Sequence, residues 1–600
     1  METMKRTATC GELSSKHIGK NVVLNGWVHR HREHGGINFI NLRDRYGVTQ
    51  VVLDAEAPDE LKKVYGEVRF ETCVAVAGTV RARPENMVNP EMATGEIEVQ
   101  AEKLVILSRC ETLPFMIDQE SEAKEDLRFR YRYLDLRSGG MQRRIKLRHD
   151  TAFAVREYLI GRGFYEIETP TLIRSTPEGA RDFLVPSRVQ PGKFYALPQS
   201  PQIYKQILMV SGFDRYFQIA HCFRDEDARG DRQIEHTQID MEMSFVSKED
   251  VFEVVEGMLR HVFAKALGKE IAIPFAHLPY DEAMNRFGTD KPDLRFALEL
   301  QDFTSFVAGG EFEAFKTVLD AGGTVKAMVV PSGATLSRKQ IGELEEAAKV
   351  YGARGLAWMK VGESGLEGGV SRFYASQAEA ILGGLGAGKG DLILLVGAEW
   401  KKACASLGAV RSRLGQDLKL YDPGEFNFCW IVDFPLFEYN EEEKKWDPAH
   451  HMFTMPQEAY LESLEKDPAS VKGDLYDLVC NGTEIASGSI RIHDPQLQQR
   501  IFNIIGMSEE EAERRFGFLL RAFQYGPPPH GGIAPGLDRL VMLMAGESTI
   551  REVIAFPKNT IGASPMDDCP SGVGPDQLRE LHLSVKAPPV GIPSPEDKGD

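Results

Sequence analysis

Residues 475–494 read LYDLVCNGTEIASGSIRIHD. Asn481-Gly482, set between two runs of strand-forming residues, is a strong signal for a two-residue hairpin turn. On one arm Asp477 and Val479 alternate; on the other Glu484, Ile485, Ser487, Ser489 and Arg491 follow. Spacing of this kind gathers polar side chains on one face of a sheet. Paired acids with an arginine there suit a magnesium ion and a carboxylate. Cross-strand salt pairing is the competing reading.

Two stretches elsewhere have the same character. Residues 215–242 read RYFQIAHCFRDEDARGDRQIEHTQIDME. An apolar strand pattern (Tyr216, Phe217, Ile219) leads into Arg224, Asp225 and Glu226, then a charged loop, then a second strand. A guanidinium at the mouth of such a hairpin can clamp a phosphate; a solvated face laced with ion pairs fits the same residues. Residues 530–546 read HGGIAPGLDRLVMLMAG, a glycine-rich strand end turning into a helix. Glycines admit close approach of a ligand. Arg539 falls early in that helix, where the dipole favours phosphate, or it is a surface arginine on a tight turn.

Working outward, residues 20–107 look all-β, with short strand runs at 22–28, 38–43, 49–54, 72–82 and 96–101. Five short strands in that length suit a small closed barrel. Residues 109–140 are charged and aromatic and read as a connector. A helix is expected over 142–162, ended by Gly163, and a strand over 164–170, stopped by Pro170. Residues 288–420 are rich in Gly and Ala, with strand and helix runs alternating (a helix over 338–351 among them), and read as an inserted α+β domain. Residues 587–600 read as a mobile tail.

The chain has 600 residues, 42% hydrophobic and 27% charged, which excludes a disordered chain, a collagen-like fibre and a coiled-coil rod. Its net charge is −18, yet residues 1–110 carry 15 Lys and Arg against 15 Asp and Glu. The acidic excess therefore lies beyond the first segment, which is the part best suited to touch a polyanion. No apolar run approaches the ~20 residues of a membrane span, and no signal-peptide pattern opens the chain. Eight cysteines with no CxxC pair point away from a disulfide framework or zinc. A cytoplasmic location without membrane contact is expected.

In order, GFYEIETPTL (163–172), STPEGARDF (175–183), QSPQIYKQ (199–206), FRDEDARGDRQ (223–233), AHHMFT (449–454), NGTEIASGSIR (481–491) and GLDR (536–539) resemble the class II aminoacyl-tRNA synthetases, in the bacterial aspartyl form. The resemblance covers residues 5–585. It implies an α+β multidomain fold. An N-terminal OB-fold β-barrel binds the anticodon (1–108), followed by a hinge (109–140). A catalytic domain with a six-stranded antiparallel sheet (141–287 and 421–586) encloses the inserted α+β domain (288–420). It also implies a homodimer, with the helix before Gly163 and the strand ending at Pro170 in the interface. The activity implied is aspartate–tRNA ligation: ATP and L-aspartate give aspartyl-adenylate, and aspartate then passes to the 3′ end of tRNA(Asp). That chemistry needs positioning and charge neutralisation rather than a protein nucleophile, and no Ser/His/Asp or Cys/His constellation stands out in the sequence.

By the same resemblance, Arg224 contacts the α-phosphate and the substrate carboxylate, and Arg224, Glu226 and Arg539 are the catalytic set. The ATP site comprises Arg224, Asp225, Glu226, Gln233, His236, Glu484, Gly536, Leu537, Asp538 and Arg539. Asp477 and Glu484 bind Mg²⁺. Glu178 takes the ammonium group of aspartate; Gln202, Ile203, Tyr204 and Lys205 line its site with Asp240; Arg491 reads its side-chain carboxylate. His450 lies on a loop closing over the amino acid, and the choice between His450 and His451 is open. The family's usual Phe beneath adenine is replaced here by His236, whose ring is planar but smaller. The anticodon face maps to Arg30, Arg32, Phe39, Gln50, Arg81 and Arg83, and Phe39 read alone is equally a core aromatic.

An asparagine or lysine enzyme on the same scaffold would leave the Arg491 fork unpaired. A non-enzymatic RNA-binding relative would be expected to lack an arginine or acid of the set, and Arg224, Glu226, Glu484 and Arg539 are all present. For the tRNA partner the signal is mixed. His34 matches relaxed enzymes that also charge tRNA(Asn), whereas Asn86 stands where those often have Gly; His34 as a plain exposed loop residue is the other reading.

Overall fold

The computed structural model describes residues 4–117, 122–176 and 180–586. They form two compact units, one of residues up to 146 with 555–559 and 563–570, the other of the rest. Glu178 and the tail 587–600 lie outside the described residues.

The first unit is built on a closed barrel. Its strands are β1 (Asn21–His34), β2 (Ile37–Asp44), β3 (Gly47–Leu53), β4 (Cys73–Ala82) and β5 (Ile97–Ser108). They bond in the order β1-β2-β3-β5-β4, with β4 closing on β1. Val22, Leu24 and Val28 alternate inward to meet Val51, Val74 and Val99 in one apolar core. The stretch read as a connector contains two short helices, Glu125–Arg130 and Arg132–Asp135. Not all of its charges are solvated. Arg132 is 2% exposed, pairs with Asp135 and donates from Nε to the Ala555 carbonyl at 2.9 Å. A charge run can be buried when partners meet each of its donors.

The second unit carries an eight-stranded sheet: β6 (Tyr165–Glu166), β7 (Arg215–Phe223), β8 (Glu235–Ser244), β9 (Ala276–Pro279), β10 (Phe428–Val432), β11 (Leu475–Cys480), β12 (Thr483–Ile490) and β13 (His530–Ile533). Their order is β9-β10-β11-β12-β13-β8-β7-β6. The six central strands are antiparallel, as expected; the two edge strands add on in parallel. The strand expected over 164–170 is only β6, two residues long, because beyond Ile167 the chain leaves β7 and its backbone bonds to that neighbour end. Helix α1 (Gly139–Gly161) stops before Gly163, whose φ of 81° is the left-handed form glycine takes readily.

One sheet face is covered by helix α3 (Lys248–Leu267), capped by Ser247 with Asp250, through Val251, Val255, Met258 and Leu259. The other face stays open to a cleft flanked by α2 (Gln202–Val210) and reached by the first turn of α4 (Leu537–Ala545), whose Leu540, Val541 and Met544 pack in the core with α3. The turn between β11 and β12 is Asn481-Gly482, with φ of 52° and 79°, as a two-residue hairpin of this type requires.

Residues 288–420 lie within the second unit and have their own five-stranded sheet, ordered Leu300–Asp302, Thr324–Val330, Leu392–Ala398, Ala357–Gly362, Gly365–Glu367. The unbroken apolar run 392–396 is buried on both faces, Leu392, Leu394 and Val396 on one side and Ile393 and Leu395 on the other.

Candidate active site

A cleft of about 530 Å³ opens where β8, β12 and β13 present their uncovered face. A larger cleft, about 810 Å³, lies among the helices of the inserted domain around Trp358. Its charged lining residues are not buried, so chemistry favours the first.

At one end of that cleft sits a cluster of four buried charges. Asp240 and Glu242 are two apart on β8 and so share a face, while Ile239, Met241 and Met243 turn into the core. Lys205 donates from Nζ to Asp240 Oδ1 at 2.7 Å and lies 3.3 Å from Glu242 Oε2. Arg491 meets Glu242 as a fork, Nε to Oε1 at 3.0 Å and Nη2 to Oε2 at 3.2 Å. Two cations and two anions cancel, which is what allows such burial. Burial alone would raise both acids. For Glu242, Arg491 and Lys205 prevail and hold the carboxyl below its usual range; for Asp240, burial prevails. Asp240 Oδ2 is buried with no hydrogen-bond partner among the described residues, an acceptor fit for a substrate cation.

Close approach decides one residue here. A Cβ on Gly532 of β13 would lie 2.1 Å from Glu242 Oε2 and 2.2 Å from the Met241 carbonyl, so only glycine lets the acid sit there.

The two histidines left open by the sequence both line the cleft, in different roles. His451 accepts at Nε2 from Arg491 Nη1 at 2.6 Å. Burial, then the Arg491 charge, hold it neutral, far below 6.5. His450 places Nδ1 3.3 Å from Ser487 Oγ and 3.9 Å from Asp477 Oδ1.

At the other end lie Arg224, Glu226, Gln233, His236, Glu484, Gly536, Asp538 and Arg539. Arg224 Nε is buried and has no hydrogen-bond partner among the described residues. Arg539, in the first turn of α4, donates to the Glu484 carbonyl at 2.8 Å and to Asp231 Oδ2 at 3.2 Å. Asp538 is braced rather than free: it accepts from the Thr237 N–H at 2.8 Å and from Arg148. His236 is neutral, lowered to about 3 by burial and then by the Arg224 and Arg539 charges.

Asp477 and Glu484 share a sheet face. Asp477 pairs with Ser487 and Val479 with Glu484, so Ile485 is an extra residue, a β-bulge that puts Glu484 and Ser487 on one side although three apart. Simple alternation in the sequence hid this. Burial, with Glu484 nearby, pushes Asp477 up to about 7 against the pull of His450. Its Oδ1 has no hydrogen-bond partner among the described residues. Among the described residues no three acids, histidines or cysteines form a complete metal cage. Two carboxylates on one face fit Mg²⁺, which takes oxygen donors and fills its shell with water and phosphate.

Some expected residues face elsewhere. On α2, Gln202 and Lys205 share the face toward the cleft, and a helix turns the residues between them away. Ile203 packs with Phe453, Phe502 and Phe516, and Tyr204 faces a small separate pocket beside Ile173 and Phe518. Leu537 is in the sheet's core. Asp225 sits outside the lining, 3.6 Å from Arg181. Glu242 and Ser487 were missed as site residues; the alternation Ile239-Asp240-Met241-Glu242-Met243 carried the signal for the first.

In the barrel, Arg30, Arg32 and His34 on β1 and Asn86 are exposed. Phe39 is 8% exposed and covered by the Arg32 guanidinium, 5.2 Å from its ring. Gln50 donates to Glu98, Arg81 pairs with Asp54 and Glu98, and Arg83 donates to the Ile97 carbonyl. Gln50 and Arg83 are buried, so their part in any RNA contact is to brace that surface.

Comparison with known proteins agrees with this arrangement. The model of the family described as tRNA synthetases class II (D, K and N) matches residues 124–560, and that of the OB-fold nucleic acid binding domain matches 22–107. A protein of Treponema denticola named aspartate–tRNA(Asp/Asn) ligase is 62% identical over 589 residues, 98% of this chain and 100% of its own. One of Moorella thermoacetica with the same name is 52% identical over 585 residues, 97% of each chain. The solved asparaginyl-tRNA synthetase of Pyrococcus horikoshii with asparaginyl-adenylate is 18% identical, with a TM-score of 0.58 covering 92% of this chain and 98% of its own; it shares the fold. With the barrel, the antiparallel sheet and the clustered charges in their places, the chain belongs to the class II aminoacyl-tRNA synthetases of the D, K and N group.

Proposed function

We propose that this chain is an aspartate–tRNA ligase that charges both tRNA(Asp) and tRNA(Asn). The observation that carries the amino-acid choice is Arg491, 2% exposed at the floor of the cleft, its fork set by Glu242. Its cationic edge suits the aspartate side-chain carboxylate; an amide would leave it unsatisfied.

Asp240 and Gln202, with Glu178, receive the ammonium group. The aspartate α-carboxylate oxygen attacks the α-phosphorus of ATP and pyrophosphate leaves; Arg224 bridges the two reactants and spreads the charge that builds there. Arg539 holds the outer phosphates. His236 lies against the adenine. Asp477 and Glu484 would hold Mg²⁺, which would supply charge neutralisation for the departing pyrophosphate. The terminal ribose hydroxyl of tRNA then attacks the anhydride carbonyl and AMP leaves. The barrel meets the anticodon with Arg30 and Arg32, the latter braced on Phe39, and His34 relaxes its choice between the two tRNAs; both relatives described above carry the Asp/Asn name. A homodimer is supported by apolar side chains left exposed on α1 and β6, Phe153 at 63%, Ile160 at 58% and Tyr165 at 63%.

The test is charging of purified tRNA(Asp) and tRNA(Asn) with labelled aspartate and, in parallel, asparagine. Aspartate on both tRNAs and no asparagine is the expected result. Asparagine transfer overturns the amino-acid assignment, and charging of tRNA(Asp) alone overturns the relaxed specificity.

A further inference from the structure

Behind the amino-acid end of the cleft runs a directed chain of hydrogen bonds that the scheme above does not use. Gln202 Nε2 donates to Gln206 Oε1 at 3.2 Å. Gln206 Nε2 donates to His530 Nε2 at 3.1 Å. His530 Nδ1 donates to the Pro528 carbonyl at 2.8 Å. Gln206 and His530 are 0% exposed and Gln202 is 6% exposed. Gln202 and Gln206 are four apart on α2 and so stack on one face.

The far end of this chain sets its direction. A backbone carbonyl only accepts and cannot turn round, so His530 must carry its proton on Nδ1. The ring is neutral: burial lowers its pKa, outweighing Glu242, with the Arg491 and His493 charges adding to the effect. Nε2 is then a lone pair, and Gln206 can face it only with its N–H. The Gln206 oxygen is thereby turned to Gln202 and occupies the Gln202 N–H. With its NH₂ end held at Gln206, the end of the Gln202 amide left for the cleft, which Gln202 lines, is Oε1. That oxygen has no hydrogen bond among the described residues.

We infer that Gln206 and His530 are positioning residues for amino-acid recognition: anchored on the Pro528 carbonyl, they lock the Gln202 amide so that it offers an acceptor, not a donor, to the substrate ammonium group. Without the lock the amide is free to turn, and its NH₂ then meets the ammonium donor against donor. Neither residue touches the substrate. The inference rests on the reading that Gln202 contacts the amino acid.

Three full-length variants, Gln202→Met, Gln206→Met and His530→Phe, test it in the aspartate-dependent ATP–pyrophosphate exchange. Succinate serves as a competitive probe, having both carboxylates of aspartate and no ammonium. Each variant is expected to raise KM for aspartate about tenfold, the loss of one charge-assisted bond, with KM for ATP and the inhibition constant of succinate unchanged. If Gln206→Met and His530→Phe weaken aspartate and succinate alike, the two residues merely support packing and the inference fails. A raised KM in Gln202→Met alone also overturns it. An unchanged KM in Gln202→Met overturns instead the reading on which it rests. Either of the two relay variants suffices should the other not fold.

Discussion

Arg491 and Glu242 face each other as a fork with both side chains out of water, 249 residues apart in sequence. The pair does two things at once. It aims the guanidinium into the cleft, and it neutralises an acid that would otherwise stand buried and alone.

Arg491→Leu is therefore expected to abolish aspartate activation and also to lower stability by about 3–5 kcal/mol, the cost of stranding Glu242. Arg491→Leu combined with Glu242→Gln should regain much of that stability and none of the activity. Denaturant unfolding and pyrophosphate exchange separate the two effects. Near-normal aspartate activation in either variant would remove Arg491 from its role.

Gly532→Ala places a methyl group where the Glu242 carboxylate lies. The acid has to move and takes the Arg491 fork with it. A stability loss of about 1–3 kcal/mol is expected from overpacking, with KM for aspartate raised more than KM for ATP. Equal effects on both substrates would show that Glu242 does not transmit the change.

Arg539→Ala should weaken ATP use without touching the amino-acid end. Loss of a charged hydrogen bond of about 1.5–3 kcal/mol predicts a roughly ten- to hundredfold rise in KM for ATP. An unaltered ATP dependence would refute the placement of the triphosphate at Arg539.

His236 has a folded pKa near 3 and an unfolded one near 6.5. A depressed pKa means the unfolded chain binds the proton more tightly, so this residue's share of stability is full above pH 6.5 and declines as pH falls toward 3. His236→Phe removes that slope. Its unfolding free energy should change less than the wild type's between pH 8 and pH 5, while KM for ATP stays within about threefold because a flat ring remains. Parallel pH profiles of the two proteins would argue that the imidazole is not buried.

His34→Leu should reduce charging of tRNA(Asn) and spare tRNA(Asp). His34 ends β1 and is exposed, so the change acts on the RNA rather than on the barrel core. Relative kcat/KM for the two tRNAs reports it. An unchanged ratio would leave His34 as an ordinary exposed residue at the strand end.

The sequence by itself determined whatever depends on near neighbours. Asn481-Gly482 makes its turn because two adjacent residues take positive φ. The five barrel strands follow from alternation within each run, and Arg539 reaches the start of its helix because the glycine-rich strand end and Pro535 precede it. Motif order was enough to identify the family. Tertiary structure alone decided which side chains meet. Ile203 and Leu537 sit inside motifs yet point into cores, since helix geometry, not motif membership, sets direction. The bulge at Ile485 shifted strand parity by one residue, which no local pattern records. Lys205, Asp240, Glu242 and Arg491 come from three separate stretches, and a buried charge is stable only beside the partners that packing brings to it.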